Sequence, residues 1–237
     1  MRLTLVRSAT LIVELAGKRI LVDPMLDEAG ARPPIEGTLN QVANPTVPLP
    51  FPADEVVRGL DAVVVTHRHR DHLDASAEEL LPRNVPVFCQ LEDEEALQGL
   101  GLDARAVVNA LDWEGLAIAR TPARHGSGRM AELLAPVSGF VLDDVYLAGD
   151  TVWYEEIAET IERHRPRVAV VNAGGAEFIE GGLIVMGIDD VREVVERVPV
   201  VVAVHMEALN HCFLTRAALR AALPTVLVPE DGELVVV

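Results

Sequence analysis

The segment Thr66-His67-Arg68-His69-Arg70-Asp71-His72-Leu73-Asp74 places three histidines and a carboxylate within six positions, directly after the apolar run Asp61-Ala62-Val63-Val64-Val65. An apolar run of that length bounded by polar residues reads as a buried strand, so the cluster sits at a strand end. Imidazole and carboxylate are the side chains that divalent metal ions take as ligands, and so dense a group of them predicts a metal site. If the extended chain continues past Thr66, His67 and His69 fall on one side of it, since side chains alternate with period two. Asp71 and His72 are adjacent, so both serve one site only where the chain tightens. Asp74-Ala75-Ser76-Ala77-Glu78-Glu79 supplies that tightening, with a capping residue and early acidic residues to open a helix.

Four more histidines occur, at 125, 164, 205 and 211. His125 follows a strand-like stretch, Leu116 to Thr121, and precedes a glycine-containing bend. His205 ends the apolar run Val200-Val201-Val202-Ala203-Val204. Between them Val145-Tyr146-Leu147-Ala148-Gly149-Asp150-Thr151 delivers a carboxylate beside a glycine. Strand ends in an α/β protein collect on one rim, where residues distant in sequence converge. His164 lies at a helix end in Arg163-His164-Arg165-Pro166 and reads as structural.

On these residues the chain resembles the metallo-β-lactamase superfamily. The resemblance rests on H-x-H-x-D-H at His67 to His72, His125, Gly149-Asp150-Thr151, His205, and an early aspartate in Leu21-Val22-Asp23-Pro24. It implies that His67, His69 and His125 hold one divalent metal and Asp71, His72 and His205 a second, with Asp150 bridging, and that Asp23 orients the site. It implies a four-layer αββα sandwich, and chemistry by one or two ions, zinc first and manganese or iron as alternatives. Val204-His205-Met206-Glu207 and the compact length look most similar to the branch containing L-ascorbate-6-phosphate lactonases. The expected activity is hydrolysis of a small, anionic ester, lactone or phosphoester by metal-activated water. Asp71 and Asp150 are the candidate catalytic carboxylates, and His211 and Glu207 candidate leaving-group acids or supports of the ligands. An iron-dependent oxidoreductase of the same fold and a non-catalytic metal-binding protein are the competing readings. Di-iron members usually carry glutamate where this chain has His69.

Composition narrows the partners. The 237 residues, 50% hydrophobic, are enough for one large domain with a sizeable core. A net charge of −17 argues against nucleic acid, whose binding depends on lysine and arginine neutralising phosphates. Lys18, in the Ala16-Gly17-Lys18 turn, is the sole lysine among twenty basic residues, so Schiff-base chemistry is nearly excluded. No apolar stretch approaches the roughly 18 residues of a membrane span. The alternating Met1 to Arg7 lacks the apolar segment of a signal peptide, which predicts a cytoplasmic protein; homo-oligomerisation is left open. Cys89 and Cys212 are too few and too far apart for a disulfide scaffold or a Cys-x-x-Cys site. Cys89 reads as a buried strand residue, and Cys212 as core or as a support for the ligands.

The organisation predicted is a three-strand meander over 2–22, then an irregular, proline-rich loop from Pro24 to Pro52 acting as a flap. Two strand-and-helix halves follow, suggesting two sheets with helices on their outer faces. Helices are expected near 53–59, up to 81, 92–100, 154–164 and 189–197. The glycine-rich stretch Asn172 to Gly182 is a candidate substrate loop. Arg68, Arg70 and Arg124, interleaved with the ligands, are candidates for recognising an anion.

Overall fold

A computed structural model describes all 237 residues. The first half contributes β1 (Arg2–Arg7), β2 (Thr10–Leu15), β3 (Lys18–Val22), α1 (Ala53–Val56), β4 (Ala62–Val65), α2 (Ala75–Leu80), β5 (Pro86–Cys89), α3 (Leu91–Gly99) and β6 (Asp103–Ala106). The second contributes β7 (Ala110–Trp113), β8 (Leu116–Pro122), α4 (Arg129–Leu133), β9 (Ser138–Leu142), β10 (Val145–Leu147), α5 (Glu155–His164), β11 (Val168–Asn172), β12 (Glu177–Phe178), β13 (Gly182–Leu183), α6 (Ile188–Val195), β14 (Val200–Val204), α7 (Arg216–Ala222) and β15 (Leu234–Val236). One sheet runs β15-β1-β2-β3-β4-β5-β6, the other β14-β11-β10-β9-β8-β7, and β12-β13 form a separate hairpin. Both sheets are mixed: β3 through β6 pair in parallel, as do β10-β11 and β11-β14, while the remaining neighbours are antiparallel.

Period-two alternation builds the layers. In β4, Ala62 and Val64 face the inter-sheet core while Val63 and Val65 face the outer helices. In β11, Val168 and Val170 point inward and Ala169 and Val171 outward. Covered on both faces, these strands read as unbroken apolar runs. α2 and α3 cover the first sheet through Ala77 and Leu97; α5, α6 and α7 cover the second through Ile157, Val191 and Leu219. The αββα sandwich expected from the sequence is therefore present.

Three details depart from the expectation. The helix expected to reach Gly59 stops at Val56, because Gly59 takes φ +66°, outside the helical region. The five-residue α4 is too short to leave a periodic signal. α7 and the C-terminal β15 add to the expected elements, and β15 closes the first sheet against β1.

Fully burying a branched or aromatic side chain stabilises by about 1.5–3 kcal/mol, and the inter-sheet core alone contains twenty buried apolar residues. Against that, several non-glycine residues take positive φ, among them Asp23, His205 and Glu207, with φ of +45°, +62° and +61°. Each costs on the order of 1–3 kcal/mol. The core can carry such strain, and the site uses it.

Candidate metal centre

Parallel direction brings the strand ends to one rim. β3 delivers Asp23, β4 delivers His67, His69, Asp71 and His72, β8 leads to His125, β10 to Asp150, and β14 to His205. β4 stops at Val65, so His67 and His69 are not placed by strand alternation; the amides of His72 and Leu73 bond back to His69 O, tightening the chain so that neighbours 71 and 72 both turn inward. Asp74 caps α2, accepting from the Ala77 amide at 2.9 Å. Glycine is required at 149, which holds φ +65° and where a Cβ would lie 2.5 Å from Ser138 O. At Gly174 a Cβ would meet His205 O at 2.1 Å, so the strand that carries His205 can approach only because 174 has no side chain.

The seven residues form two groups, His67-His69-His125 and Asp71-His72-Asp150-His205, each with its ligand-type atoms within 4.8 Å of one another. Asp150 Oδ2 lies 3.2 Å from His72 Nε2, 3.4 Å from His125 Nε2 and 3.9 Å from His67 Nε2, so one carboxylate reaches both groups. His205 Nε2 is 3.4 Å from Asp71 Oδ2.

The imidazoles are oriented from behind. His72 Nδ1 donates to Asp23 Oδ2 at 2.8 Å, and His125 Nδ1 to Ile184 O at 2.7 Å. His67 Nδ1 is 3.0 Å from Thr66 Oγ1, which itself donates to Asp23 Oδ2. His205 Nδ1 faces Cys212 Sγ at 3.5 Å. With the Nδ1 atoms of His67, His72, His125 and His205 engaged from behind, their Nε2 atoms are left facing one another and the carboxylates. His67 Nε2 and His69 Nδ1 stand 3.0 Å apart, and the buried Nε2 atoms of His72 and His205 complete no hydrogen bond. Converging imidazole nitrogens, two of them buried without a partner beside two carboxylates, are what a divalent cation resolves by taking the place of their protons, so the donor set fits the metal that the motif implies.

Protonation energetics agree. Burial, followed by the neighbouring imidazoles, lowers the His67 pKa well below the usual histidine value, and burial also lowers that of His69. Burial acts the same way on His72, but Asp150, Asp23 and Asp71 outweigh it and raise the pKa to about 10. His205 is likewise raised despite its burial, chiefly by Asp150. Burial pushes Asp71 and Asp150 up, yet His72, His205 and, for Asp150, His125 hold both well below the ordinary carboxylate range. The second group draws positive charge to itself.

In front of the ligands lies a cavity of about 520 Å³ lined by His69, Asp71, His125 and His211 on the ligand side. Ile35, Leu134, Phe178, Ile184 and Leu209 line its apolar part, with Arg32, Arg68 and Arg70 toward the rim. The Pro24 to Pro52 loop supplies Arg32, Pro33, Ile35 and Asn44, so it does cover the site, and the glycine-rich stretch supplies Phe178. His211 is buried, with Nδ1 unpartnered, and burial lowers its pKa to about 4. A larger cleft of about 640 Å³ contains Arg165, Arg167 and Arg197 but no metal-ligand side chain apart from Glu162.

Two sequence candidates fall away. Glu207 is turned from the cavity by its left-handed φ and engages Arg216, Oε2 to Nη1 at 2.6 Å. Arg124 stacks on Tyr154 at 4.1 Å and is not a cavity residue. Arg70 pairs with Glu78 and Arg32 with Asp27, which leaves Arg68 without an ion pair. His164, the last residue of α5, belongs to neither ligand group, as expected. Two supporting residues were not read from the sequence. Asn172 donates to Asp150 Oδ1 at 2.6 Å, and Asn210 organises the loop over the cavity. An asparagine ending an apolar strand, as Asn172 does, was the available signal for the first.

Comparison with known proteins agrees with this geometry. The family described as Beta-lactamase superfamily domain matches residues 18–206. The UPF0173 protein YddR of Bacillus subtilis is 38% identical, over 98% of each chain. An isothiocyanate hydrolase from Delia radicum gut bacteria superposes with a TM-score of 0.94 at 35% identity, covering 100% of this chain and 99% of that one. A possible metal-dependent hydrolase from Veillonella parvula gives 0.94 at 33%, covering 99% and 98%.

Proposed function

The chain belongs to the metallo-β-lactamase superfamily, within the UPF0173 metal-dependent hydrolases, and from that premise we propose that it hydrolyses a small, largely apolar electrophile of the isothiocyanate class. The observation that carries this reading is the cavity, where Ile35, Leu134, Phe178, Ile184 and Leu209 stand against the metal-ligand rim. Such walls favour an uncharged, compact group next to the reacting carbon. The likeness over the whole chain to an isothiocyanate hydrolase supports the same class. Zinc is the first choice of ion, with manganese or iron as alternatives, since histidine-carboxylate sites accept all three.

When bound, the metal lowers the pKa of water from about 15.7 to about 7 and so supplies a nucleophile at neutral pH. His67, His69 and His125 would hold one ion and Asp71, His72 and His205 the other, with Asp150 shared. Water adds across the C=N bond of R–N=C=S: oxygen joins the carbon and a proton joins the nitrogen, giving R–NH–C(=S)–OH. That thiocarbamic acid passes its hydroxyl proton to nitrogen and breaks the C–N bond, releasing an amine and carbonyl sulfide. Neutral His211, on the cavity wall, presents an N–H to the substrate's heteroatom, while the apolar side chains exclude bulk water.

A second reading, an anionic ester or lactone like those of the L-ascorbate-6-phosphate lactonases, has one observation in its favour: Arg68 at the rim is free to meet a negative charge. A nucleic-acid substrate does not fit the net charge of −17. The experiment is turnover by protein reconstituted separately with zinc, manganese and iron. Benzyl isothiocyanate, a phosphorylated lactone and its neutral analogue are the substrates. Turnover of lactone or phosphoester with no amine released from benzyl isothiocyanate under any metal would overturn the first reading.

A further inference from the structure

Asn210 is completely buried, precedes the cavity residue His211, and spends its polar groups on the loop that covers the site. Its Oδ1 accepts from the Ile35 amide at 3.0 Å and from Asn44 Nδ2 at 2.6 Å. Its Nδ2 donates to Ile35 O at 3.0 Å, Thr38 Oγ1 at 2.8 Å and Asn40 O at 2.7 Å. Its own amide donates to Asn44 Oδ1 at 2.9 Å, so the two asparagines exchange hydrogen bonds. Ile35 and Asn44 both line the cavity.

The loop is held elsewhere as well. Arg7, buried in β1, donates to Met25 O, Asp27 O and Val47 O, at the two ends of the loop. Thr46 bonds by its amide to Ala208 O and by its hydroxyl to Glu207 O, both at 2.8 Å. Arg32 and Asn44 pair backbone to backbone at 2.8 Å in each direction. Of these fasteners from outside the loop, Asn210 alone bonds directly to Ile35 and Asn44, two of the loop's cavity-lining residues, and it belongs to the segment carrying His205 and His211. A carboxamide is the side chain that provides two donors and an acceptor at this length. Aspartate has the same shape but would set carboxylate oxygens against Ile35 O and Asn40 O.

We propose that Asn210 is a specificity-determining positioning residue, holding the Pro24 to Pro52 loop at a set height over the metal centre so that the cavity selects substrates by size. The covering loop is thus a fastened wall, with its width fixed before substrate arrives. The proposal rests on the hydrolase reading for its kinetic consequences but not for its structural ones, and the test separates the two.

Hydrogen–deuterium exchange is measured on the metal-loaded parent protein, Asn210→Ala, Asn210→Asp, and Asn44→Ala, which breaks the same pair from the loop side. The amides of Ile35, Asn44 and Thr46 are expected to exchange at least ten-fold faster in the variants, while those of β4 and β11 keep their protection and metal content stays at the parent value. Kinetics then use a series of isothiocyanates from methyl to naphthylmethyl. In the Asn210 variants, for the smallest members KM should rise at least five-fold with kcat held within two-fold, and the preference between small and bulky members should narrow. Asn210→Asp should resemble Asn210→Ala, since it loses the same donors. Unchanged protection over 35–46, or protection lost equally in β4 and β11, overturns the proposal even if no substrate is turned over. Loop release with an unaltered size preference overturns it as a specificity device.

Discussion

His67, His69 and His125 form a group without a carboxylate of its own and with a half-exposed member, His69, whereas Asp71, His72, Asp150 and His205 are all buried and include two carboxylates. The first group opens on the cavity through His69 and His125. In the second, His72 leans on Asp23 and Asp150 on Asn172. The contrast teaches a division of labour that follows from charge. An ion at the first position would meet only the shared Asp150 beside three imidazoles and keep more of its charge for polarising substrate, while one at the second would meet both Asp71 and Asp150 and be more nearly neutralised and more tightly kept.

Removing the shared carboxylate should have the largest effect. Asp150→Ala takes the one group within reach of both sets of ligands, and is expected to empty the second position and cut hydrolysis by at least about 10³-fold, given the several kcal/mol that an ion's Lewis acidity supplies. Elemental analysis and steady-state rates check this, with His164→Ala as the folded control that leaves both intact. Equal losses in the two variants would break the comparison.

Proton release upon loading distinguishes the groups next. Without metal, His72, with a pKa of about 10, and His205, also raised, are protonated at pH 7–8, while His67 and His69, lowered by burial, are neutral. Metal must displace protons from the second group and none from His67 and His69. Affinity at the second position should therefore rise with pH, up to about ten-fold per pH unit for each proton displaced, while the response from His67 and His69 stays flat. Calorimetric titration in buffers of different ionisation enthalpy counts those protons, and equal release from both positions would refute the assignment of charge.

Both ligand groups and the supports Asp23 and Cys212 were legible in the sequence, whereas Asn172 and Asn210 were not. The ligands sit near the ends of apolar runs, which local pattern marks, and the resemblance to the superfamily supplied their grouping. The role of Glu207 is not legible from its spacing to His205, since both residues take positive φ and the Glu207 carboxylate goes to Arg216. Arg124, one of three candidates for meeting an anion, is illegible for a related reason, since adjacency to His125 in sequence does not encode its stacking on Tyr154. Asn210 meets its partners 166 to 175 residues away, and no local pattern encodes a pairing of that separation. The layers of the sandwich were readable because alternation repeats in every strand. The covering loop has no repeat, and its shape is set by individual hydrogen bonds.

Asp23 tests how far the second group depends on what stands behind it. Asp23→Asn keeps the shape and tolerates the φ of +45°, which asparagine accepts more readily than most residues. It removes the negative charge that faces His72 Nδ1. Metal affinity at the second position should fall by about 10–100-fold, the usual consequence of losing such a partner. Competition against a calibrated chelator measures it, and a larger loss at the first position than at the second would reverse the comparison.

Cys212 should give the smallest effect, and for a stated reason. Its sulfur accepts from His205 Nδ1 at 3.5 Å, a place that Asp23 fills for His72 with a carboxylate at 2.8 Å. Thiol sulfur is a weak acceptor, and burial raises the Cys212 pKa despite the nearby His205 imidazole, so the group faces His205 as a neutral thiol. Cys212→Ala therefore removes a weak bond and should cost about two- to five-fold in affinity at the second position, less than Asp23→Asn. Cys212→Ser places a stronger acceptor behind the same nitrogen and should recover the loss wherever its shorter bond still reaches. If Cys212→Ala costs as much as Asp23→Asn, the two histidines of the second group are supported equally, and the ranking of carboxylate over thiol as a partner for a metal-facing imidazole fails in this protein.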